Sequence, residues 1–355
     1  MFSSFFLGAN SGSGFYSFYD ELINLQNANA VYILKGGPGS GKSSLMRTLV
    51  SKADELNTPY ELIFCSSDPN SLDGVVFPTL KVAVVDGTSP HIVEPNFPIA
   101  VERYINLGEF ADAERIHERT SDIIEAKNTY SDYFTHIYRM TACAEKLDDE
   151  IFDKALGAIG SAYLRKKASG IISREIKGSG DGASCKRRFC EAISPQGYIS
   201  LLSEKSATTS HTYILEDSHG IGHFLLSPIK EAALSANFAC IAAYSPLKPT
   251  QILHLYIPEL SLCFITSSRD IPLSCDYYRK LRLDAAVDRT LPSRERTELR
   301  RLRKLRRSFI DEACNILKDA KLVHDKLEDI YNPYISFNGI YHTAEKLAGE
   351  IFQIK

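Results

Sequence analysis

The chain has 355 residues, of which 44% are hydrophobic and 24% charged, and its formal net charge is −3. This composition is typical of a globular protein of about two domains, and the small net charge argues against a global attraction to nucleic acid or acidic membranes. The 8 cysteines form no CxxC pair and are typical of reduced thiols. Because there is neither a secretory leader nor an apolar run that could span a bilayer, we expect a soluble cytoplasmic protein.

In chain order, the first half alternates predicted strands with predicted helices. The pattern predicts a strand at 4–7, a turn and helix at 15–25, a strand at 31–34, a helix from residue 42, strands at 61–65 and 81–85, and a long helical segment from 109 to about 164. This alternation indicates an α/β fold with a parallel sheet covered by helices. The long helical region of the second half is predicted to start at about residue 292.

The most specific motif lies at residues 36–43, which read Gly-Gly-Pro-Gly-Ser-Gly-Lys-Ser and match the complete Walker A phosphate-binding pattern. The glycines let backbone N–H groups turn toward phosphates, and the start of the following helix adds partial positive charge. Lys42 is expected to reach the β- and γ-phosphates of ATP, and the Ser43 hydroxyl to bind Mg²⁺. The predicted nucleotide-binding residues are Gly36, Gly37, Pro38, Gly39, Ser40, Gly41, Lys42, Ser43 and Ser44.

A second motif supports the first. The apolar run 82–85 ends in Asp86, the Walker B form, so Asp86 is predicted to hold Mg²⁺ together with Ser43. The next residue is Gly87, which makes ATPases with a catalytic glutamate directly after the Walker B aspartate a poor match. There is no Asn-Lys-x-Asp motif for guanine, so ATP is the expected nucleotide by elimination.

Two polar loops follow the predicted strands at the edge of the sheet where substrates bind. Asp68 and Asp73 lie in the first loop, and His91 and Glu94 lie in the second. These side chains are candidates to position a water or an acceptor hydroxyl, with Asp68, Asp73 and His91 joining Lys42 and Asp86 as the predicted catalytic set. The alternative for each is ordinary turn chemistry.

The chain also contains an internal repeat. Residues 32–43 align with 213–224, where Asp217 replaces the first loop glycine, His223 the lysine and Phe224 the serine. These changes make phosphate binding in the second copy improbable, because a carboxylate would repel a phosphate. Further matches join 82–86 with 262–266, 14–17 with 197–200, and 144–147 with 344–347.

The repeat and the Gly/Ser-rich stretch 177–184 predict two P-loop domains separated by a linker. An active domain is expected at 1–176, with a helical extension at about 108–176. A degenerate domain is expected at 185–355, with a basic helical extension at about 285–355. Each extension is interpreted as a long helical hairpin.

The basic extension carries eight cationic residues on one predicted helix: Arg294, Arg296, Arg300, Arg301, Arg303, Lys304, Arg306 and Arg307. We favour pairing within the protein, with the acidic run between 109 and 125 as the complementary partner. An arginine donated to the nucleotide of the first half and a nucleic-acid patch are the other two interpretations. An intramolecular contact between the two repeats is therefore expected.

Taken together, the motifs resemble those of an uncharacterised bacterial family of tandem P-loop proteins described only as ATPase-like or nucleotide-kinase-like. The resemblance rests on the loop at 36–43, on Cys65-Ser66-Ser67-Asp68, on Ser71-Leu72-Asp73-Gly74 and on Val85-Asp86-Gly87-Thr88-Ser89-Pro90-His91. It implies ATP binding but no particular substrate. The chain departs from the family at Asp217, His223 and Phe224, where members usually keep a working second loop.

These observations predict one Mg-ATP site, in the first half, and ATP hydrolysis coupled to a conformational or assembly change. The alternatives are a small-molecule or nucleotide kinase that uses the same site, and a non-catalytic ATP-sensing scaffold.

Overall fold

The computed structural model describes residues 3–89, 92–202, 209–273 and 275–353. Within these ranges the chain forms a mixed α/β fold with eight α-helices, one 12-stranded sheet and two separate two-stranded hairpins. The predicted α/β class is confirmed at this level.

The first half supplies eight strands and four α-helices. Its strands are β1 (Ser4–Phe6), β2 (Gly8–Ser11), β3 (Gly14–Ser17), β4 (Ala30–Lys35), β5 (Glu61–Phe64), β6 (Leu72–Phe77), β7 (Val82–Asp86) and β8 (Glu102–Asn106). Its α-helices are α1 (Lys42–Glu55), α2 (Ala113–His117), α3 (Thr120–Ile159) and α4 (Ser161–Glu175). Strand β4 is apolar and buried on both faces, as expected for a strand inside a sheet that helices cover.

The second half supplies a matching set of elements among the described residues. Its strands are β9 (Ser184–Phe189), β10 (Glu191–Ser194), β11 (Gly197–Ser200), β12 (His211–Glu216), β13 (Ala239–Tyr244), β14 (Ile252–Ile257), β15 (Leu262–Ser267) and β16 (Arg279–Arg282). Its α-helices are α5 (His223–Ser235), α6 (Leu283–Thr290), α7 (Ser293–Tyr331) and α8 (Phe337–Gln353).

The large sheet shows the repeat directly. The strand order across the sheet is β8-β4-β7-β6-β5-β1-β9-β13-β14-β15-β12-β16. The six strands of the second half are the counterparts of the six strands of the first half and occur in the reverse order, so that β1 and β9 meet at the centre and β8 and β16 lie at the two edges. Strands β1 and β9 join the halves through an antiparallel pair at Phe6 and Phe189. The two halves therefore share one continuous sheet, and an approximate two-fold axis relates one half to the other.

The structure corrects three of the sequence predictions. The sheet is mixed rather than fully parallel, because β6 and β14, which we had not predicted as strands, each pair antiparallel with both neighbours. The predicted helix at 15–25 is instead the strand β3 and a short 3₁₀ helix, since Gly14 at φ 106° closes a hairpin with β2. Strand β8 was also missed.

The long helices α3 and α7 pack along each other. Buried positions in α3 recur at alternating spacings of four and three residues, from Ile137 to Ala155, which is the pattern of a coiled-coil seam. The pairing is antiparallel, because Asp148 of α3 contacts Arg306 of α7 while Tyr130 lies against His324.

The shorter helices then cross over between the halves. Helix α8 of the second half packs on α1, the helix that follows the Walker A loop, while α4 of the first half packs on α5. Each half is thus covered by helices from the other. The proposed match of 144–147 with 344–347 is wrong, because the first segment lies in α3 and the second in α8, which are not equivalent helices.

Among the described residues, no helix combines the length and the apolar character needed to cross a membrane.

Candidate functional site

The Walker A residues form a loop between β4 and α1, as the sequence predicts. Gly39 and Gly41 adopt left-handed backbone conformations, with φ values of 68° and 74°, which glycine adopts without strain. A Cβ on Gly36 would lie 2.5 Å from the Ser40 hydroxyl, so the loop is closed tightly on itself. The Ser40 hydroxyl is buried without a hydrogen-bond partner among the described residues, inside a loop whose pattern is that of a phosphate site.

Lys42 begins α1 and points back over the loop. Its Nζ atom donates to the carbonyl oxygens of Gly36 at 3.1 Å and Gly37 at 3.0 Å, and lies 3.7 Å from Asp86 Oδ2. The side chains of Lys42 and Asp86 are only 13% and 12% exposed. The ammonium group is therefore held at the loop in a partly dehydrated environment, where its attraction to a phosphate is stronger than in open water.

Ser43 and Asp86 are each oriented by backbone groups, in a way that leaves an oxygen available. The Ser43 hydroxyl accepts from the Leu72 N–H at 3.0 Å and keeps a second lone pair. Oδ1 of Asp86 accepts from the backbone N–H of Thr88 at 2.8 Å and from its hydroxyl at 2.6 Å. Oδ2 remains on the side that faces Lys42. The donor set of one hydroxyl and one carboxylate suits Mg²⁺.

Gly87 has a structural reason to be glycine. A Cβ at this position would lie 2.4 Å from Ile33 Cγ2 in the neighbouring strand β4. A side chain there would have to displace the Ile33 side chain, so a catalytic glutamate directly after Asp86 is disfavoured sterically and is absent from the sequence.

Asp73 was predicted in a loop but lies in strand β6, which pairs with β7, the strand that ends in Asp86. Gly74 pairs with Val85, the residue before Asp86, and the Leu72 N–H donates to Ser43 Oγ, so Asp73 lies between two residues that contact the Walker elements. Asp73 itself is an extra, bulged residue of β6 against β5. Asp73 is 5% exposed and accepts a hydrogen bond from the Tyr19 hydroxyl at 2.9 Å. Burial raises the pKa of Tyr19 well above its usual value and Asp73 adds to this, so Tyr19 stays a donor.

The structure places the other predicted catalytic residues differently. Asp68 is half-buried, caps its own turn by accepting from Asn70 N–H, and pairs with Lys321 of α7 at 3.1 Å. Glu94 is exposed, pairs with Lys35 at 3.1 Å and accepts from the Tyr104 hydroxyl. His91 lies outside the described residues. Among the candidates that the structure describes, Asp73 is thus the one that lies next to residues in contact with the Walker elements.

The second half contributes groups that sequence reasoning missed. The Gly39 N–H donates to Glu328 Oε1 at 3.2 Å, although the two residues are 289 positions apart. Tyr331 and Asn332 approach the loop so closely that a Cβ on Gly37 or Gly39 would lie 3.2 and 2.4 Å from them. No local signal marks these residues, because their position depends on helix α7 crossing from one half to the other.

The equivalent loop of the second half is filled by its own side chain. Oδ2 of Asp217 accepts from Gly222 N–H at 2.6 Å, and Oδ1 accepts from His219 N–H at 3.0 Å. Burial raises the pKa of Asp217, although these donors oppose the shift. The carboxylate takes up backbone N–H groups of the loop, at a position where a working Walker A loop has glycine.

His223 and Phe224 have also lost the polar chemistry of Lys42 and Ser43. Burial lowers the pKa of His223, so the imidazole is neutral near pH 7, and its Nδ1 atom accepts from Ile252 N–H at 3.1 Å. This contact replaces the one between Leu72 and Ser43. The Phe224 ring packs against Phe152 of α3 with centroids 5.7 Å apart.

The arginine-rich segment lies at this degenerate loop and not at the Walker A loop. Arg303 donates to His219 Nε2 at 3.2 Å, and His219 Nδ1 lies 2.9 Å from Asp284. Arg306 and Arg307 pair with Asp270, and Arg306 also with Asp148. An arginine donated to the first-half nucleotide is therefore wrong, since 25 residues of α7 separate Arg303 from Glu328, about 37 Å.

The arginines also do not meet the acidic run at 109–125. Because α3 and α7 are antiparallel, that run lies near the C-terminal end of α7, while the arginines lie near its N-terminal end. Internal pairing does occur for three of them, but with Asp148, Asp270 and Asp311 and with His219.

Asp217, His219 and Asp284 also place ligand-type atoms within 4.8 Å of one another. The Arg303 guanidinium occupies one His219 nitrogen, which opposes a cation there.

Comparisons with protein-family models, curated proteins and solved structures found no match for this chain.

Proposed function

We propose that this protein binds Mg-ATP at the Walker A loop of the first half and hydrolyses it to drive a conformational or assembly change. One observation carries the proposal: the Lys42 ammonium converges on the loop carbonyls and on Asp86 within 3.7 Å, at the start of α1. A strand, a glycine loop, a helix and a buried carboxylate from the adjacent strand β7 form a self-consistent phosphate and Mg²⁺ site.

Each residue has a defined role in this proposal. The loop N–H groups and Lys42 bind the phosphates, and Ser43 and Asp86 hold Mg²⁺. When bound, Mg²⁺ supplies charge neutralisation on the phosphate oxygens. Asp73, buried in the strand next to β7 and held by the Tyr19 hydroxyl, orients a water.

A kinase remains the second candidate, because the same Asp73 carboxylate could accept the proton of an acceptor hydroxyl. Phosphate release in the absence of any added acceptor separates the two activities, since only the hydrolase requires none. Nucleotide binding without turnover would indicate the third possibility, an ATP-sensing scaffold.

Replacing Lys42 tests the assignment. A charge-assisted contact to phosphate contributes about 1.5–3 kcal/mol, so Lys42→Ala should weaken ATP binding or slow turnover by roughly one to two decades. The measurements are the Kd for Mg-ATP from calorimetry and the rate of phosphate release.

Lys52→Ala is a matched control on the same helix. Lys52 is exposed and pairs with Glu55 of the same helix at 2.8 Å, so its removal should leave both quantities unchanged. Equal Kd and turnover for the Lys42 and Lys52 variants, with both chains folded, would refute a nucleotide role for this loop.

A further inference from the structure

The last turn of helix α7 delivers a carboxylate to the Walker A loop. Glu328 Oε1 accepts from the Gly39 N–H at 3.2 Å, and the Glu328 side chain is 36% exposed. A Cβ on Gly39 would lie 3.3 Å from Glu328 Cβ, so α7 lies directly against the loop backbone at this point. The contact joins an element of the second half to the proposed nucleotide site of the first.

This contact uses a backbone N–H that a Walker A loop offers to phosphate. Backbone N–H groups of such loops donate to phosphate oxygens, and a carboxylate is the protein group closest to phosphate in charge and hydrogen bonding. One N–H cannot serve both fully, and the two anions repel each other at this distance.

We propose that Glu328 is an internal, displaceable occupant of the phosphate-binding loop, and that the polyphosphate of ATP expels it and shifts the C-terminal end of α7. This inference rests on the proposed function. It adds that helix α7 regulates nucleotide binding and transmits the effect of that binding.

The second half gives an independent reason to expect carboxylate occupancy. There Asp217 fills the equivalent loop, accepting from two of its N–H groups, and is 3% exposed. Asp217 belongs to the loop itself and cannot leave, whereas Glu328 is carried by a separate helix and is partly exposed to water. A carboxylate therefore accepts from loop N–H groups in both halves, at different positions of the loop; the contact is permanent in the second half and reversible in the first.

Helix α7 connects the two loops physically. It runs without a break from Ser293 to Tyr331, packed along α3, and its Arg303 side chain contacts His219 in the second-half loop. A shift at Glu328 is therefore transmitted along a rigid helix to the degenerate loop about 37 Å away.

The test is Glu328→Gln, which keeps the size and the hydrogen-bond acceptor but removes the charge. We expect Mg-ATP to bind to the Glu328→Gln variant about threefold to tenfold more tightly than to the unaltered chain. The effect is limited to this range because the carboxylate is partly exposed and solvent screens its charge. Asp329→Asn is the matched control, since it removes the same charge from the neighbouring exposed residue, and it should leave the Kd unchanged.

Hydrogen exchange supplies a second measurement on the unaltered chain. Mg-ATP should increase amide exchange in the last turn of α7, residues 328–331, because that turn loses its contact with the loop. Exchange there that ATP leaves unchanged or slows would overturn the proposal.

The possible outcomes distinguish this inference from the proposed function. If the unaltered chain and Glu328→Gln bind Mg-ATP with the same Kd, the function stands and the inference fails. A large loss of turnover at unchanged Kd makes Glu328 catalytic and also overturns the inference. If neither chain binds Mg-ATP, both proposals fail.

Discussion

Arg306 shows how a single residue ties the two halves together. It is 8% exposed and donates to Asp148 of the first half at 2.5 Å and to Asp270 of the second half. Burial opposes its charge, but the two carboxylates raise its pKa above the usual value. The guanidinium therefore stays charged and neutralises two acids that would otherwise repel each other.

Removing this side chain should destabilise the protein severely. Arg306→Ala leaves the buried Asp148 carboxylate without its cation and Asp270 with Arg307 alone, so we expect the free energy of unfolding to fall by about 3–5 kcal/mol. Urea unfolding followed by circular dichroism measures the change. Arg301→Ala is the control on the exposed face of the same helix, and it should change stability by less than about 0.5 kcal/mol. Similar stability for both variants would contradict the ion-pair account.

At the scale of elements, an ion pair in each half joins a loop to the long helix of the other half, and the acidic and basic partners are exchanged between the two pairs. In the first half Asp68 pairs with Lys321 of α7, and in the second half Lys248 pairs with Asp149 of α3. The loops are equivalent, since each follows the strand next to the one that joins the halves. Asp68 therefore has a structural role that a catalytic interpretation does not require.

Exchanging the charges separates these two roles. Asp68→Lys should destabilise the chain by roughly 0.5–1 kcal/mol, because the pair is partly exposed, and adding Lys321→Asp should recover part of that loss. A double-mutant cycle by urea unfolding measures the coupling. If the double variant also regains ATP turnover that Asp68→Lys alone has lost, Asp68 is not catalytic. A coupling free energy of zero between the two substitutions would contradict the structural role.

Sequence patterns predicted the structure best where the signal is local. The Walker A loop, the strand ending in Asp86 and the degenerate copy at 213–224 are each contained in about a dozen consecutive residues, and the structure places all three as expected. Strand β6 was missed because Ser71, Asp73 and Gly74 are typical of a turn, and its strand conformation comes from pairing with β5 and β7.

Local sequence patterns did not predict which residues of the second half contact the Walker A loop. Glu328 reaches Gly39 because α7 and α8 cross onto the other half, and nothing in the residues around 328 indicates that path. The partners of the arginine-rich segment were likewise not predicted: internal pairing was favoured with the acidic run at 109–125, but the arginines pair with Asp148, Asp270, Asp311 and His219. The direction in which α7 packs along α3 decides which end of α7 meets the Walker A loop.

At the scale of the whole molecule, the two halves are not independent units. The apolar face of α1, with Leu45, Met46 and Leu49, is buried against Ile340 and Ala344 of α8. Residues 1–176 alone would expose that face to water. The degenerate half therefore stabilises the proposed active half directly and brings Glu328 to its loop.

The most direct test of the account is the number of nucleotides that one chain binds. Because Asp217 fills the second loop and Phe224 stands where the first half has Ser43, the proposed Mg²⁺ ligand, calorimetric titration of the full chain with Mg-ATP should give one site per chain. That site should be lost or strongly weakened in Lys42→Ala. Two equivalent sites, or a single site that the Lys42 substitution leaves intact, would contradict the account.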